Sequence, residues 1–304
     1  MQEKQYTNRN LLQSNLPLSY TLTAGINEVS AIKIGRNSLW LNGGNFSNID
    51  NFISSIKTIS RNNKIIIRGC NKSTSKKLNK NGFNEILFAK EAIIELDKNI
   101  SITKKLLRRI SSLLKRGNVK EIVFSDENTE IFNEFLKTTF HWGKPQLRNL
   151  FLDRFSESTR LFVYEISPNK WEGAILVSQN SKSKMQGEQF FRKKIGMNGV
   201  MDTLVYSICH ILENEGYAEF SLGEVPFTIS ENTSFFSKAN FLNLIGSKIK
   251  FAYNYKGLYN FKNKFVTRWD DIFICTNNRW LFLDLLRIAK KSNLLALALY
   301  KIFN

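Results

Sequence analysis

The residues best placed to do chemistry lie in the second half of the chain. Asp202 follows Gly199 at the start of a helical pattern. A carboxylate there can act as a base, hold an ammonium, or simply steady the positive end of the helix. Glu224 comes just after a strand-like run and two residues before Pro226. Strand ends of this kind gather the sites of α/β proteins, although turn geometry alone would also account for the loop. Lys262 and Lys264 are two apart, so in an extended segment both face one side, with Phe261 and Phe265 on the other. Such a strand either offers two cations to a phosphate or oxyanion or forms a solvated basic edge. Glu188 is a second candidate for binding an ammonium, against an ordinary surface salt bridge. Arg192, Lys193 and Lys194 make a basic step before Gly196.

Other chemistries lack their signatures. There is no serine in a nucleophile elbow, no glycine loop ending in Gly-Lys-Ser/Thr, and no His-Glu-x-x-His. Cys70, Cys209 and Cys275 are odd in number, far apart and mostly flanked by apolar residues, which predicts buried, reduced thiols. His141 and His210 are the two histidines, and neither sits in a Cys/His cluster with metal-ligand spacing. No metal and no cofactor are expected, and both histidines read as packing residues.

These groups must be carried by a folded, basic protein. The chain has 304 residues, a net charge of +18 and 42% hydrophobic residues. That length suits roughly two domains, each able to bury its own core. The charge favours polyanions such as nucleic acid, anionic lipid or phosphorylated ligands. Residues 1–10 are polar without the apolar core of a signal peptide, and no stretch reaches the ~18 apolar residues of a membrane span. A soluble or peripheral, cytoplasmic protein is expected.

Hydrophobic periodicity predicts strands at 29–34, 64–68 and 91–96 and helices at 50–60, 73–81 and 101–116. The last helix has Ile102, Leu106, Ile110, Leu113 and Leu114 on one face and Arg108 and Arg109 among the cations of the other. Residues 98–120 hold eight basic residues and no acidic one, whereas a merely solvated helix face usually mixes signs. In the second half, strands are predicted at 161–166, 171–178 and 217–222, and a helix at 200–215. One amphipathic helix is predicted over 280–303, either lying on an anionic bilayer or packed on the body of the protein. The boundary between the two halves falls within 139–160, giving units of 1–150 and 151–304.

Two segments, read together, carry a resemblance. One contains Asn198-Gly199-Val200-Met201-Asp202 and continues to Leu222-Gly223-Glu224-Val225-Pro226. The other is Tyr255-Lys256-Gly257-Leu258-Tyr259-Asn260-Phe261-Lys262-Asn263-Lys264-Phe265, followed by Trp269. Together they resemble the C-terminal cytosolic domain of the bacterial phosphatidylglycerol lysyltransferases, also called multiple peptide resistance factors. Asn81-Gly82-Phe83, the run from Glu91 to Leu96 and the basic helix agree with that family in the first half.

The resemblance implies an α/β (α+β) fold of tandem acetyltransferase-like (GNAT) domains. It also implies transfer of a lysyl or alanyl group from charged tRNA to the hydroxyl of phosphatidylglycerol or a similar lipid. Aminoacyl-tRNA and an anionic membrane lipid become the expected partners, with the inner face of the cell membrane as the place of action. The family's multi-span membrane domain is not in this chain, so a separate membrane protein is a further candidate partner.

On this reading Asp202, Lys264 and Glu224 are the catalytic candidates. Glu188, Arg192, Lys262, Lys256, Arg108 and Arg109 are the substrate-binding ones. Departures from the family pattern touch specificity: Lys256 replaces an arginine, Thr267-Arg268 a Pro-acidic pair, and Phe191 another arginine. An acyl-CoA-dependent N-acyltransferase and a non-catalytic RNA- or lipid-binding module are the alternatives. Against the first, Arg192 does not lead a glycine at the offset a CoA loop needs.

Overall fold

The computed structural model describes residues 29–44, 49–98, 100, 102–152, 154–226, 255–278 and 281–303. The polar stretch 1–10 and Trp280, the first residue of the predicted C-terminal helix, lie outside the described residues. Among the described residues, ten strands form one sheet in the order β1-β2-β3-β10-β4-β9-β8-β7-β6-β5. Their bounds are β1 Val29–Gly35, β2 Ser38–Gly44, β3 Lys64–Cys70, β4 Asn84–Glu95, β5 Asn118–Ile122, β6 Thr159–Ser167, β7 Lys170–Gln179, β8 Lys184–Arg192, β9 Glu219–Pro226 and β10 Arg268–Thr276. The pairs β2–β3 and β8–β9 are parallel, and the other neighbours are antiparallel.

The sheet is buried on both faces, and the alternation of its strands shows how. In β3, Ile65 and Ile67 pack beneath α1 (Ile49–Ser60) and α2 (Lys72–Lys80), while Ile66 points the other way, toward Ile274 and Ile288. In β6, Phe162 and Tyr164 join the core under α3 (Lys104–Leu114) and α5 (Val200–Asn214). Leu161 and Val163 join the opposite core, beneath α4 (Asp126–Lys137).

Helix α3 is the basic helix read from the sequence. Thr103 caps it by accepting from the Leu106 amide at 3.3 Å. Leu106, Ile110 and Leu113 are buried, and Lys104, Lys105, Arg108 and Arg109 are exposed. The thiols of all three cysteines are free and buried, as expected.

Two expectations need correction. The segment around Lys262 and Lys264 is not extended: α6 (Tyr255–Lys262) is a helix, continued by a turn in which the Phe265 and Val266 amides donate to the Lys262 carbonyl at 3.0 and 3.2 Å. The spacing of Leu258, Phe261, Lys262 and Phe265 is helical, with Phe261 and Phe265 meeting at 6.0 Å as an i,i+4 pair. The two lysines therefore point to different places. The C-terminal helix is also broken, into α7 (Leu281–Lys291) and α8 (Leu294–Phe303), at Asn293 with φ +60°. Helix α7 packs on the body through Ile288, and its Asp284 is buried against Asn278 and Arg287. Among the described residues, no helix is long and apolar enough to cross a membrane.

Candidate active site

The site is made where two parallel strands part. β8 and β9 pair only at Lys184 with Glu219, Met185 with Phe220 and Gln186 with Ser221, yet β8 runs on to Arg192 and β9 to Pro226. Their C-terminal ends therefore diverge, and such ends are where sites of parallel α/β units form. Gly223 makes the departure possible. Its φ of +80° is open to glycine at no steric cost, and its amide donates to Ser221 Oγ at 3.0 Å instead of to the neighbouring strand.

A cavity of about 260 Å³ occupies the opening. Its walls are mainly apolar, with Phe88, Leu150, Phe190, Leu222 and Leu258 among them, and α7 and α8 contribute Leu285 and Leu295. Arg68, Glu188, Glu224 and Lys262 bring charge to this otherwise apolar space.

Glu224 is the least satisfied of these groups. Its Oε2 accepts from Arg68 Nη2 at 2.6 Å, while Oε1 is buried without a hydrogen-bond partner. An unmet buried carboxylate oxygen costs on the order of 1–3 kcal/mol, so it marks a position suited to a ligand donor. Burial pushes the Glu224 carboxyl above its usual range; Arg68 opposes that shift and nearby Glu91 adds to it. Glu91, itself 1% exposed, accepts from Lys184 Nζ at 2.9 Å and Ser221 Oγ at 2.6 Å.

Lys262 is 3% exposed and its Nζ donates to the Glu224 backbone carbonyl at 2.9 Å. Burial lowers its ammonium to about 7, with Glu224 and Glu91 pulling the other way. A lysine near neutrality at physiological pH can both take and return a proton. Glu188 stands in the same wall, where its carboxylate accepts from Ser178 Oγ and, at 3.0 Å, from the Leu152 amide.

Asp202, Lys264 and Arg109 form a second cluster, at the start of α5. Lys264 Nζ lies 2.7 Å from Asp202 Oδ1, and Arg109 Nη1 lies 3.8 Å from Oδ2. Gly199 precedes the helix with φ +95°, and a Cβ there would come 2.6 Å from Arg109 Cδ, so glycine is needed for both the turn and the approach of α3. Asp202 thus ties α3, α5 and the turn after α6 together, in the first turn of a helix that favours its charge.

Arg192, Lys256 and Arg108 are exposed and belong to neither cluster. Arg192 lies over the Phe140 ring at 4.9 Å. His141 Nε2 is 3.2 Å from the Phe190 carbonyl oxygen, a packing role, whereas His210 is exposed beside Tyr206. Arg68 was not singled out from the sequence. The available signal was a lone arginine ending an isoleucine run, in a strand too apolar for a surface charge.

With this geometry in place, comparison with known proteins bears on the segment that supplies Glu188, Glu224 and Lys262. Residues 152–276 match the family model described as phosphatidylglycerol lysyltransferase, C-terminal. The resemblance read from the sequence therefore holds over β6 to β10. No curated protein matches the chain.

Among solved structures, L-PGS from Bacillus licheniformis is 18% identical, with 86% of this chain and 83% of that one covered at a TM-score of 0.70. The C-terminal DUF2156 domain of a candidate lysylphosphatidylglycerol synthetase from Agrobacterium fabrum is 16% identical, covering 92% and 88% at 0.69. FemX is 12% identical, covering 84% and 85% at 0.55. These likenesses establish the fold; the mixed α+β class is the one expected, while the single ten-stranded sheet runs through both of the units read from the sequence.

Proposed function

We propose that this chain is an aminoacyltransferase that moves a lysyl or alanyl group from charged tRNA to a hydroxyl of phosphatidylglycerol or a similar anionic lipid, at the inner face of the cell membrane. The observation that carries this reading is the Glu224–Lys262 pair, one member with an orphaned oxygen and the other near neutrality, in a mainly apolar cavity whose Glu188, Glu224 and Lys262 all lie in the family-matched segment. An apolar wall suits a lipid acceptor, and the exposed cations of α3 suit RNA.

Transfer of an acyl group from one ester to another alcohol is nearly thermoneutral. It needs orientation, removal of the hydroxyl proton and support of the developing oxyanion, without a covalent enzyme intermediate. In the proposed step, neutral Lys262 Nζ takes the proton of the lipid hydroxyl as its oxygen attacks the ester carbonyl of the aminoacyl group. The resulting tetrahedral intermediate expels the ribose oxygen, which receives the same proton back from Lys262. One ester bond forms and one breaks, and the lysine ends as it began.

Glu224 Oε1 accepts a hydrogen bond from the aminoacyl ammonium, and Arg68 keeps the opposite oxygen in place. Glu188, held by Ser178 and Leu152, shapes the wall. Asp202 and Lys264 are positioning residues, fixing the turn that continues from Lys262. Arg108 and Lys256 contribute to the field that attracts tRNA, with Arg109 at its inner border.

The test is incubation of the purified protein with labelled lysyl- or alanyl-tRNA and phosphatidylglycerol vesicles. RNase-sensitive transfer of label into lipid is expected. No lipid label from either donor, together with turnover of acetyl-CoA, would overturn the reading.

A further inference from the structure

Two loops outside the cavity meet at the end of β8. The Phe140 amide donates to the Arg192 carbonyl at 3.2 Å, and the Lys194 amide donates to the Thr138 carbonyl at 3.0 Å. An isolated bridge pairs Thr139 with Lys193. These bonds fix residues 138–140 against residues 192–194, so the backbone holds the two loops side by side.

What they present is unusual. Phe140 is 40% exposed, Trp142 51% and Ile195 94%. Three large apolar side chains on two adjoining loops are a patch of the kind that marks an interaction surface. Cations surround it. The Arg192 guanidinium and the Lys144 ammonium lie 4.9 and 5.7 Å from the Phe140 ring centre, and Lys194 is exposed next to Ile195. The nearby Glu172 is 9% exposed at its side chain and already paired with Lys193 at 2.8 Å.

We infer that this paired-loop tip docks the protein onto an anionic bilayer, with Ile195 and Trp142 entering the interface and Lys144, Arg192 and Lys194 meeting the lipid headgroups. The chemistry selects a membrane over RNA. Aromatic rings serve either partner, but a fully exposed isoleucine has no π-face for a base to stack on and gains by leaving water for acyl chains. Tryptophan favours the membrane–water boundary, and basic residues beside it are attracted by the negative leaflet.

The inference rests on the lipid-acceptor reading above. It adds how the cavity meets its substrate: Arg192 ends the strand whose Glu188 lines the cavity, a separation of roughly 13 Å along β8.

The test uses the full chain and needs no donor. Because the three native cysteines are buried, Ile195→Cys can be labelled with an environment-sensitive fluorophore, with Lys77→Cys on the exposed face of α2 as the control. Vesicles of equal phosphatidylglycerol and phosphatidylcholine should shift the emission to the blue at 195 and leave 77 unchanged. Phosphatidylcholine alone should bind more than about tenfold more weakly. Ile195→Asp should weaken vesicle binding by about tenfold while RNA affinity stays within about twofold.

An unchanged emission at 195 with vesicles would overturn the inference. So would an equal loss of RNA affinity in Ile195→Asp, which would assign the patch to RNA. Docking without any lipid product would instead count against the transferase reading and leave the docking surface standing.

Discussion

Glu224 and Asp202 are both buried carboxylates facing a lysine and an arginine, yet the resemblance ends there. Asp202 has a cation near each oxygen, and both partners are half in water, with Lys264 at 38% and Arg109 at 44% side-chain exposure. Glu224 shares its space with Arg68 at 12% and a Lys262 that is 3% exposed, and one of its oxygens meets nothing. The first arrangement is complete in itself and holds helices together. The second is incomplete without a ligand. The difference teaches that, in this fold, a residue's charge partners say less about chemistry than the atoms left over once those partners are counted.

The largest expected effect separates the two lysines. Lys262→Met should lower transfer by about 10²–10⁴-fold, the usual worth of a positioned base, with the fold intact. Lys264→Met, which loses a partly exposed ion pair, should cost about tenfold or less. Equal losses, measured as initial rates on the same vesicles, would erase the distinction.

The pH profile sharpens it. If the neutral amine of Lys262 is the base, the rate should fall about tenfold per unit as pH drops below about 7 and be flat above it, and this limb should vanish in Lys262→Met. The same shift acts on stability. The unfolded lysine keeps its proton up to its usual 10.5, so between about 7 and 10.5 the unfolded state binds more protons than the folded one. The contribution of Lys262 to folding stability therefore rises with pH across that window and is least favourable below it.

Next in size is the stability contrast. Arg68→Met removes the cation bonded to the buried Glu224 carboxylate, leaving Lys262 alone to offset its charge, and should cost about 3–5 kcal/mol in denaturant unfolding. Asp202→Asn keeps the shape and loses only screened pairs, so about 1 kcal/mol is expected.

The smallest effect concerns the surface. Lys105→Ala with Arg108→Ala on α3 should weaken tRNA binding and reduce the steepness of its dependence on log salt by about 1.5, leaving vesicle binding unchanged. A gel-shift titration at several salt concentrations measures the slope.

Much of this was legible in residue order, for local reasons. The basic helix and the helix opening at Asp202 rest on spacings of a few residues, and each stands where it was expected, whereas the strand read as ending at Leu222 runs on through Glu224 to Pro226. The geometry of Lys262 was not legible, because Lys-Asn-Lys satisfies a strand period as well as the last turn of a helix, and tertiary packing decides between them. Arg68 was invisible for another reason: its partner lies 156 residues away. β8 escaped notice because its alternation is broken by Gly187, Glu188 and Gln189, residues whose setting is the cavity and its wall. The division near residue 150 stands as a proposal, with an exchange across it, since β5 lies beside β6 and β10 lies between β3 and β4.

That exchange sets a schedule for synthesis. When Glu95 leaves the ribosome, β3 and β4 both have an open edge, and the strand that joins them ends only at Thr276. At about 5–20 residues per second, the nascent chain must carry two unpaired strand edges for roughly 10–35 s. The sheet cannot close in the order its strands are made, so it is completed only once β10 has emerged.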